Sequence, residues 1–197
     1  IFFNFKFKRG ELFGCSNKSL EIIFDSCQEG FNEKYINVSF DPDELLELTE
    51  PPLMINSVDN WLTISTIGRL EKGYIRSLIL ACINIAYNNP DRKVMLIIGG
   101  GTIYKSIENE IKSEFLPPKT NIANLKIIFT GYIVSLGKDF FQMTDIFVGM
   151  GTASINAISQ GCATLNVDPR TNKTSGIFGI DTNNFAYPEN NTVYEIE

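Results

Sequence analysis

The chain has 197 residues, a formal net charge of −6 and no histidine. Its apolar and charged fractions are those of an ordinary soluble globular protein, and its acidic balance argues against a nucleic-acid-binding domain, which usually carries a basic face. The lack of histidine excludes Ser-His-Asp and Cys-His catalysis within the chain and removes the commonest zinc ligand.

The four cysteines are far apart, and no Cys-x-x-Cys pair occurs. This spacing predicts buried free thiols in a reducing compartment rather than disulfides, at Cys15, Cys27, Cys82 and Cys162. No apolar run reaches the ~18 residues that a membrane span needs, and no signal-peptide pattern opens the chain. The first residue is Ile1, so we expect a piece of a longer protein.

Residues 1–55 differ in pattern from the rest of the chain. The pattern predicts a near-alternating aromatic strand over Phe2–Phe7, a helix over Ser19–Cys27 and a strand over Tyr35–Phe40. An acidic segment then leads to Glu50-Pro51-Pro52, which breaks the chain. We interpret residues 1–55 as the tail of a preceding domain and a connector, and residues 56–197 as a second domain.

From residue 61 onwards, short apolar runs alternate with amphipathic segments. The pattern predicts strands over Leu62–Ile67, Val94–Ile98, Leu125–Phe129, Ile146–Val148 and Ala163–Val167. Between them it predicts helices over Ile75–Ala86, Tyr104–Phe115, a short segment around Phe140-Phe141, and Thr152–Gln160. This repeated order indicates βαβ units and an α/β fold with a Rossmann-like parallel sheet flanked by helices.

Four sharp turns follow four of these predicted strands. Ligands on parallel sheets bind outside the carboxyl ends of the strands, so we expect the turns to converge on one edge and form a site. They are Gly68-Arg69, Gly99–Gly101, Gly131-Tyr132 and Gly149–Gly151.

The first of these turns carries two cations within four residues, Arg69 and Lys72, just before a helix. Backbone N–H groups and the helix dipole favour anions at such a position. A planar Arg beside a compact Lys suits a pair of phosphates better than a single carboxylate. The alternative is a surface turn with solvated charges.

Taken together, the segments from Ser16 to Tyr187 resemble the C-terminal, nucleotide-sugar-binding domain of a GT-B-fold glycosyltransferase. The closest resemblance is to the retaining group 1 enzymes (family four) that build bacterial polysaccharides and glycolipids. The motifs that carry it are Ser65–Gly73, Lys93–Gly101, Ile128–Ile133 and Asp145–Gly161, in the family's order and spacing.

The resemblance implies a role for ten residues. It implies contacts with the donor diphosphate for Arg69, Lys72, Gly149, Gly151 and Thr152. It implies contacts with the nucleoside for Gly99, Gly100, Tyr132, Ile133 and Asn156.

It further implies an enzyme that transfers a sugar from a nucleotide-diphosphate donor to a saccharide or lipid-linked acceptor. We expect no metal and no cofactor, an acceptor site and any general base on an N-terminal domain, and no transfer by this piece alone. The expected compartment is the cytoplasm, and the basic residues Lys6, Lys8 and Arg9 leave a peripheral contact with the inner membrane face open. By the same resemblance, we expect the sequence to stop before the closing helices of such a domain.

One departure separates the chain from the family, which usually carries two glutamates in the last motif. Here their positions hold Val148 and Asn156. Asn156 can still bond a hydroxyl pair, with a loss on the order of 1 kcal/mol relative to a charged acceptor. No catalytic residue is therefore assigned, and the stereochemical outcome stays open.

Two alternatives follow. A non-catalytic nucleotide-sugar-binding subunit or sensor would explain the loss of both glutamates. A nicotinamide-dinucleotide enzyme is suggested by Gly99–Gly101, but the third glycine position of that fingerprint holds Tyr104, and no acidic residue follows at the expected distance.

Overall fold

The computed structural model describes residues 60–102, 104–116, 121–133, 137–182 and 193–196. All of them belong to the unit that spans residues 42–197. The elements predicted before residue 60, Cys15 and Cys27, and the domain boundary at residue 55 lie outside the described residues and stay predictions.

The described residues form six strands and four helices. The strands are β1 Trp61–Ile67, β2 Lys93–Gly99, β3 Leu125–Gly131, β4 Ile146–Gly149, β5 Ala163–Val167 and β6 Thr174–Ile177. The helices are α1 Tyr74–Asn88, α2 Lys105–Phe115, α3 Lys138–Gln142 and α4 Thr152–Ser159. Each strand and helix predicted after residue 60 is confirmed, with bounds that shift by at most two residues. None of the described helices is long and apolar enough to cross a membrane.

The six strands form one sheet in the order β3-β2-β1-β4-β5-β6. The pairs β1–β2, β2–β3, β1–β4 and β4–β5 are parallel, which confirms the predicted α/β fold with a mostly parallel sheet. The chain builds outward from β1 through β2 to β3 and then crosses to the other side of β1 with β4. The strand order therefore reverses between β1 and β4, which is where open α/β sheets bind their ligands.

The sixth strand was not predicted. β6 runs antiparallel to β5 and ends the sheet. Its sequence lacks the apolar run of a buried strand, because two of its buried residues are Thr174 and Ser175. Both hydroxyls donate to the carbonyl oxygen of Asn166, at 2.9 and 3.2 Å, so hydrogen bonds replace apolar packing there.

Side chains on alternate positions of β2 face two separate apolar layers. Val94, Leu96 and Ile98 pack with α1 and α2, whereas Met95 and Ile97 pack with α3 and α4. All five are buried, as the uninterrupted β-branched run predicts for a strand covered on both faces. The two layers cover both faces of the sheet with helices.

The contact between β1 and β4 depends on polar groups. The Thr63 amide donates to a carboxylate oxygen of Asp145 at 2.8 Å, and the Asp145 amide donates back to the Thr63 carbonyl at 2.9 Å. Next to this pair, the hydroxyls of Ser65 and Thr144 lie 2.9 Å apart. The ladder between the strands themselves is short, with Ile64 opposite Ile146 and Ser65 opposite Phe147.

The two described cysteines are expected to be unreactive in the folded chain. Both are free and buried, as predicted. Burial raises the pKa of the Cys82 thiol to about 12, and burial with the nearby Asp145 charge raises that of Cys162 to about 11. Because the thiolate is the reacting species, labelling with Ellman's reagent at pH 8 should be on the order of 100-fold slower than for a free thiol. The measurement uses a variant with Cys15 and Cys27 replaced by serine. Rapid labelling of the folded variant would contradict the burial of these groups, and full labelling in denaturant is its control.

Candidate functional site

The turns predicted to converge do lie at one edge of the sheet. Ile67 pairs with Gly99 and Gly99 with Gly131, so the last residues of β1, β2 and β3 stand side by side. β4 is parallel to β1 on its other side and ends at Gly149. The convergence inferred from the sequence is therefore confirmed by the strand pairing.

A cleft of about 210 Å³ opens at this edge, between the turns that follow β1, β2 and β3. Its walls are mainly apolar side chains and glycine backbone, with one cation. The lining residues are Ile67, Gly68, Arg69, Gly100, Gly101, Tyr132 and Ile133.

Three backbone hydrogen bonds hold the turns together. The amide of Gly68 donates to the carbonyl of Gly99 at 2.9 Å, and that of Leu70 donates to Gly101 at 3.3 Å. The amide of Gly100 donates to Gly131 at 2.9 Å. Leu70, with 1% of its surface exposed, anchors the first turn in the core. The cleft walls are thus extensions of the sheet and not independent loops.

Gly100 occupies a position that only glycine fits. Its φ is +116°, and a Cβ atom there would lie 2.2 Å from the carbonyl oxygen of Gly68. Any side chain would therefore push the first two turns apart, in addition to the cost of the backbone conformation.

Arg69 and Lys72 supply the positive charge of the site. Arg69 is exposed at the cleft, whereas Lys72 is partly buried. The Lys72 side chain folds back over the end of β1, since its Nζ would lie 3.3 Å from a Cβ on Gly68. Burial, and then the charge of Arg69, lower the pKa of Lys72. Neither cation has an ion-pair partner within the described part of the chain.

The turn between β4 and α4 offers backbone donors. Gly151, with φ +65°, is the N-cap of α4 and makes no side-chain capping bond. Within the described residues the amides of Thr152 and Ala153 have no acceptor, and the N-terminal dipole of the helix favours an anion there. Thr152 is exposed, whereas the Ser154 hydroxyl is fully buried and has no partner among the described groups.

The structure brings some of the ten predicted site residues together and leaves others apart. Four of them line the cleft, at Arg69, Gly100, Tyr132 and Ile133. Gly99 is buried beneath it, as the last residue of β2. Lys72 lies behind Gly68, and the other four lie on β4 or the turn and helix that follow, at Gly149, Gly151, Thr152 and Asn156.

Three lining residues were missed by sequence reasoning. Ile67, Gly68 and Gly101 all border the cleft. Gly68 and Gly101 belonged to the predicted turns, so the turns themselves were the signal. The apolar pattern places Ile67 only in a buried strand, although this last residue of β1 is half-buried and lines the cleft.

The two positions where the resembling family carries glutamates differ in environment. Val148 is 1% exposed and packs in the layer beneath α1, so it can contribute nothing to a ligand. Asn156 is partly buried in the second turn of α4. In the described ranges, no group of three His, Cys, Asp or Glu side chains could hold a metal ion.

Chemically, the site combines an apolar slot with a cationic rim. Tyr132, with 82% of its surface exposed, and Ile133 offer apolar surface to a flat ring. Arg69 and Lys72 offer charge to an anion. An amphiphilic anion with an aromatic end matches this arrangement.

Solved structures similar to this chain are glycosyltransferases of the GT-B fold, the fold that the sequence resemblance implies. One is the catalytic domain of cholesterol-alpha-glucosyltransferase from Helicobacter pylori, at 15% identity and a TM-score of 0.36 over 54% of this chain. A variant of S. aureus TarM in complex with UDP matches at 12% identity and 0.48 over 79%. The pneumococcal O-GlcNAc transferase GtfA, in complex with UDP and GlcNAc, matches at 14% identity and 0.48 over 79%.

These similarities concern the fold. The chain spans 62% of the length of the first of these chains and 29% of the other two. No protein-family model and no curated protein matches the sequence.

Replacing Lys72 with methionine is expected to stabilise the chain. Burial and the Arg69 charge both disfavour the ammonium group, and methionine keeps the apolar stem. We expect the melting temperature at pH 7 to rise by about 1–3 °C, whereas Lys126→Met, at an exposed position of β3, should leave it nearly unchanged.

The same variant has a defined pH dependence. The pKa of Lys72 is lower in the folded chain than the ordinary 10.5, so the unfolded chain binds more protons between these two values. The destabilisation of the folded chain by the charged Lys72 ammonium group is fully present below the folded pKa, and it is relieved as the pH rises towards 10.5. Thermal melts from pH 7 to 10.5 should show the advantage of Lys72→Met shrinking. An advantage that grows with pH would contradict the assignment.

The backbone contact at Gly100 is expected to be costly to disturb. Gly100→Ala should lower the free energy of unfolding by about 2 kcal/mol or more, measured by urea denaturation. The matched control is Gly101→Ala, because a Cβ at Gly101 would have no atom closer than 3.5 Å. Equal losses in the two variants would rule out the contact as the cause.

Proposed function

We propose that the cleft is the donor site of a glycosyltransferase that takes a nucleoside-diphosphate sugar. The observation that carries this proposal is an apolar cleft between Ile67 and Tyr132, with Arg69 at its rim. The cleft lies at the carboxyl edge of β1, β2 and β3, and β1 is also the strand beside which the strand order reverses. This arrangement matches a ligand with a flat base at one end and two phosphates next to it. The solved structures of TarM and GtfA contain UDP, a ligand of this class.

In this proposal the diphosphate lies across the carboxyl ends of β1 and β4. Arg69 and Lys72 bind it from the β1 side. Gly149, Gly151 and Thr152 bind it from the β4 side, where the first amides of α4 have no acceptor among the described residues. The nucleoside occupies the cleft, against the backbone of Gly99 and Gly100 and the residues Tyr132 and Ile133, with Asn156 proposed as a partner of the ribose hydroxyls.

The chemistry proposed for these residues is electrostatic. Breaking the bond between the sugar and the diphosphate leaves additional negative charge on the phosphate oxygens. Cations and helix N–H groups already in place stabilise that charge without reorganising, which lowers the barrier. The proposal assigns no metal and no cofactor. It places the acceptor site and any general base on an N-terminal domain of the same protein, so the present chain is proposed to bind donor without transferring sugar.

The acceptor is proposed to be a saccharide or a lipid-linked sugar, as in bacterial polysaccharide or glycolipid synthesis. The proposed compartment is the cytoplasm, since Cys82 and Cys162 are both free thiols.

A second candidate function is a nucleotide-sugar-binding subunit without catalysis. The observation that favours it is the burial of Val148 in the core, which leaves no side chain for the transferred sugar at that position. A dinucleotide enzyme is less well supported. The three glycines follow β2, whereas the strand beside the reversal point is β1, which is followed by Gly68 alone.

The test is a thermal-shift panel on this chain. The ligands are uridine, guanosine and adenosine diphosphates, the matching nucleotide sugars, and the nicotinamide dinucleotides. A ligand at ten to a hundred times its dissociation constant should stabilise by about 1.4–2.7 kcal/mol. We expect one nucleoside diphosphate to stabilise the chain and Arg69→Ala to abolish the effect.

The matched control is Arg92→Ala. Arg92 is also exposed, but it precedes β2 and so lies at the amino edge of the sheet. The Arg92→Ala variant should still be stabilised by the nucleoside diphosphate. A flat panel with folded protein, or an equal loss in both variants, would contradict the donor-site proposal, and a response to dinucleotides alone would favour the other enzyme class.

A further inference from the structure

Glu71 stands between the two site cations in the sequence and pairs with neither. Its Oε1 accepts a hydrogen bond from the hydroxyl of Thr102, in the loop that follows β2. The Glu71 side chain is exposed and Arg69 is only two residues away. Without the Thr102 bond, an ion pair with Arg69 would be the obvious alternative for this carboxylate.

The Thr102 hydroxyl is itself oriented by its surroundings. Its oxygen accepts a hydrogen bond from the backbone amide of Tyr104 at 3.0 Å, which leaves the hydroxyl proton for Glu71. The preceding residue, Gly101, accepts the amide of Leu70, so the two loops are fixed to each other next to the Glu71 contact. The hydrogen bond from Thr102, a backbone hydrogen bond and the Arg69 charge lower the pKa of Glu71. The carboxylate is therefore ionised at neutral pH.

We propose that Thr102 is a positioning residue that holds the Glu71 carboxylate away from Arg69 and so keeps the anion site open. The inference rests on the proposed function for its ligand. It adds Thr102 and Glu71 to the site, although neither lines the cleft and Glu71 carries the wrong charge to bind an anion. When the Thr102 hydroxyl is removed, Glu71 turns to Arg69 and competes with the phosphates for the guanidinium group. The pair Glu71–Thr102 thus sets how much of the cationic charge is available to a ligand.

The experiment measures binding of inorganic pyrophosphate and UDP by isothermal titration calorimetry. An exposed ion pair is worth up to about 1 kcal/mol, so Thr102→Val should weaken binding of both ligands by about two- to fivefold. Thr102→Ser keeps the hydroxyl and should bind like the unsubstituted chain. Glu71→Gln removes the competing charge and should bind as tightly as the unsubstituted chain or more tightly.

The decisive comparison is the double variant. In the Glu71→Gln background, Thr102→Val should have no further effect, because no carboxylate is left to compete. A merely structural role of Thr102 would weaken binding equally in both backgrounds. That result, an unchanged affinity in Thr102→Val, or weaker binding in Glu71→Gln would overturn the inference.

A crystal structure of Thr102→Val decides the question without any ligand. The inference requires a Glu71 carboxylate oxygen within about 4 Å of the Arg69 guanidinium in that variant. A carboxylate that stays away from Arg69 would overturn it. If the unsubstituted chain binds neither pyrophosphate nor nucleotide, the proposed function fails, and the crystal structure still tests the role of Thr102 separately.

Discussion

A carbon atom added to Gly100 would lie 2.2 Å from the Gly68 carbonyl oxygen, so the turns after β1 and β2 touch through backbone alone. This approach is possible because the parallel register places Ile67 beside Gly99. The cleft is lined by both of these turns, so its shape depends on this approach. The site is therefore specified by the pairing of the central strands, and its side chains are placed on a backbone that is already fixed.

Charge is distributed unevenly over the described residues. Several cations away from the cleft have carboxylate partners: Arg76 with Glu110 and Glu114, Lys112 with Glu108, Arg170 with Asp168, and Lys173 with Glu195. Arg69 and Lys72, within the part of the chain that the structure describes, have none, in a protein whose net charge is −6. Two like charges held close together with one of them partly desolvated raise the free energy of the empty site. The anion proposed to bind there would remove this free-energy cost, so the cost to the folded chain would add to the free energy of binding.

The sequence was sufficient for the elements that apolar periodicity defines. Val94–Ile98 could be assigned as a doubly covered strand because its side chains face apolar layers on both sides. The convergence of the glycine turns followed from the parallel topology. β6 could not be assigned, since its buried side chains, Thr174 and Ser175, carry hydroxyls whose acceptor, the Asn166 carbonyl, lies on another strand.

The site itself was predictable in outline and not in detail. Residue type and spacing pointed to Arg69, but spacing alone does not say that Gly101 borders the cleft while Asn156, in the second turn of α4, does not. The contact between Glu71 and Thr102 joins residues 31 positions apart, through a side-chain rotamer. Such contacts depend on three-dimensional register, and no pattern along one chain encodes them directly.

The β1–β4 seam, the short ladder between these two strands, has a consequence for how the chain folds. β1, β2 and β3 are consecutive in sequence, and so are β4, β5 and β6, so each half of the sheet assembles from nearby segments. The seam joins residues 82 positions apart, such as Thr63 and Asp145. The entropy cost of closing this loop is larger than that of pairing neighbouring strands within either half of the sheet. The proposed binding of a diphosphate by both the β1 turn and the α4 terminus requires that seam. A nascent chain that has completed only its first three strands would hold Arg69 in place and still lack the proposed contacts of the α4 terminus.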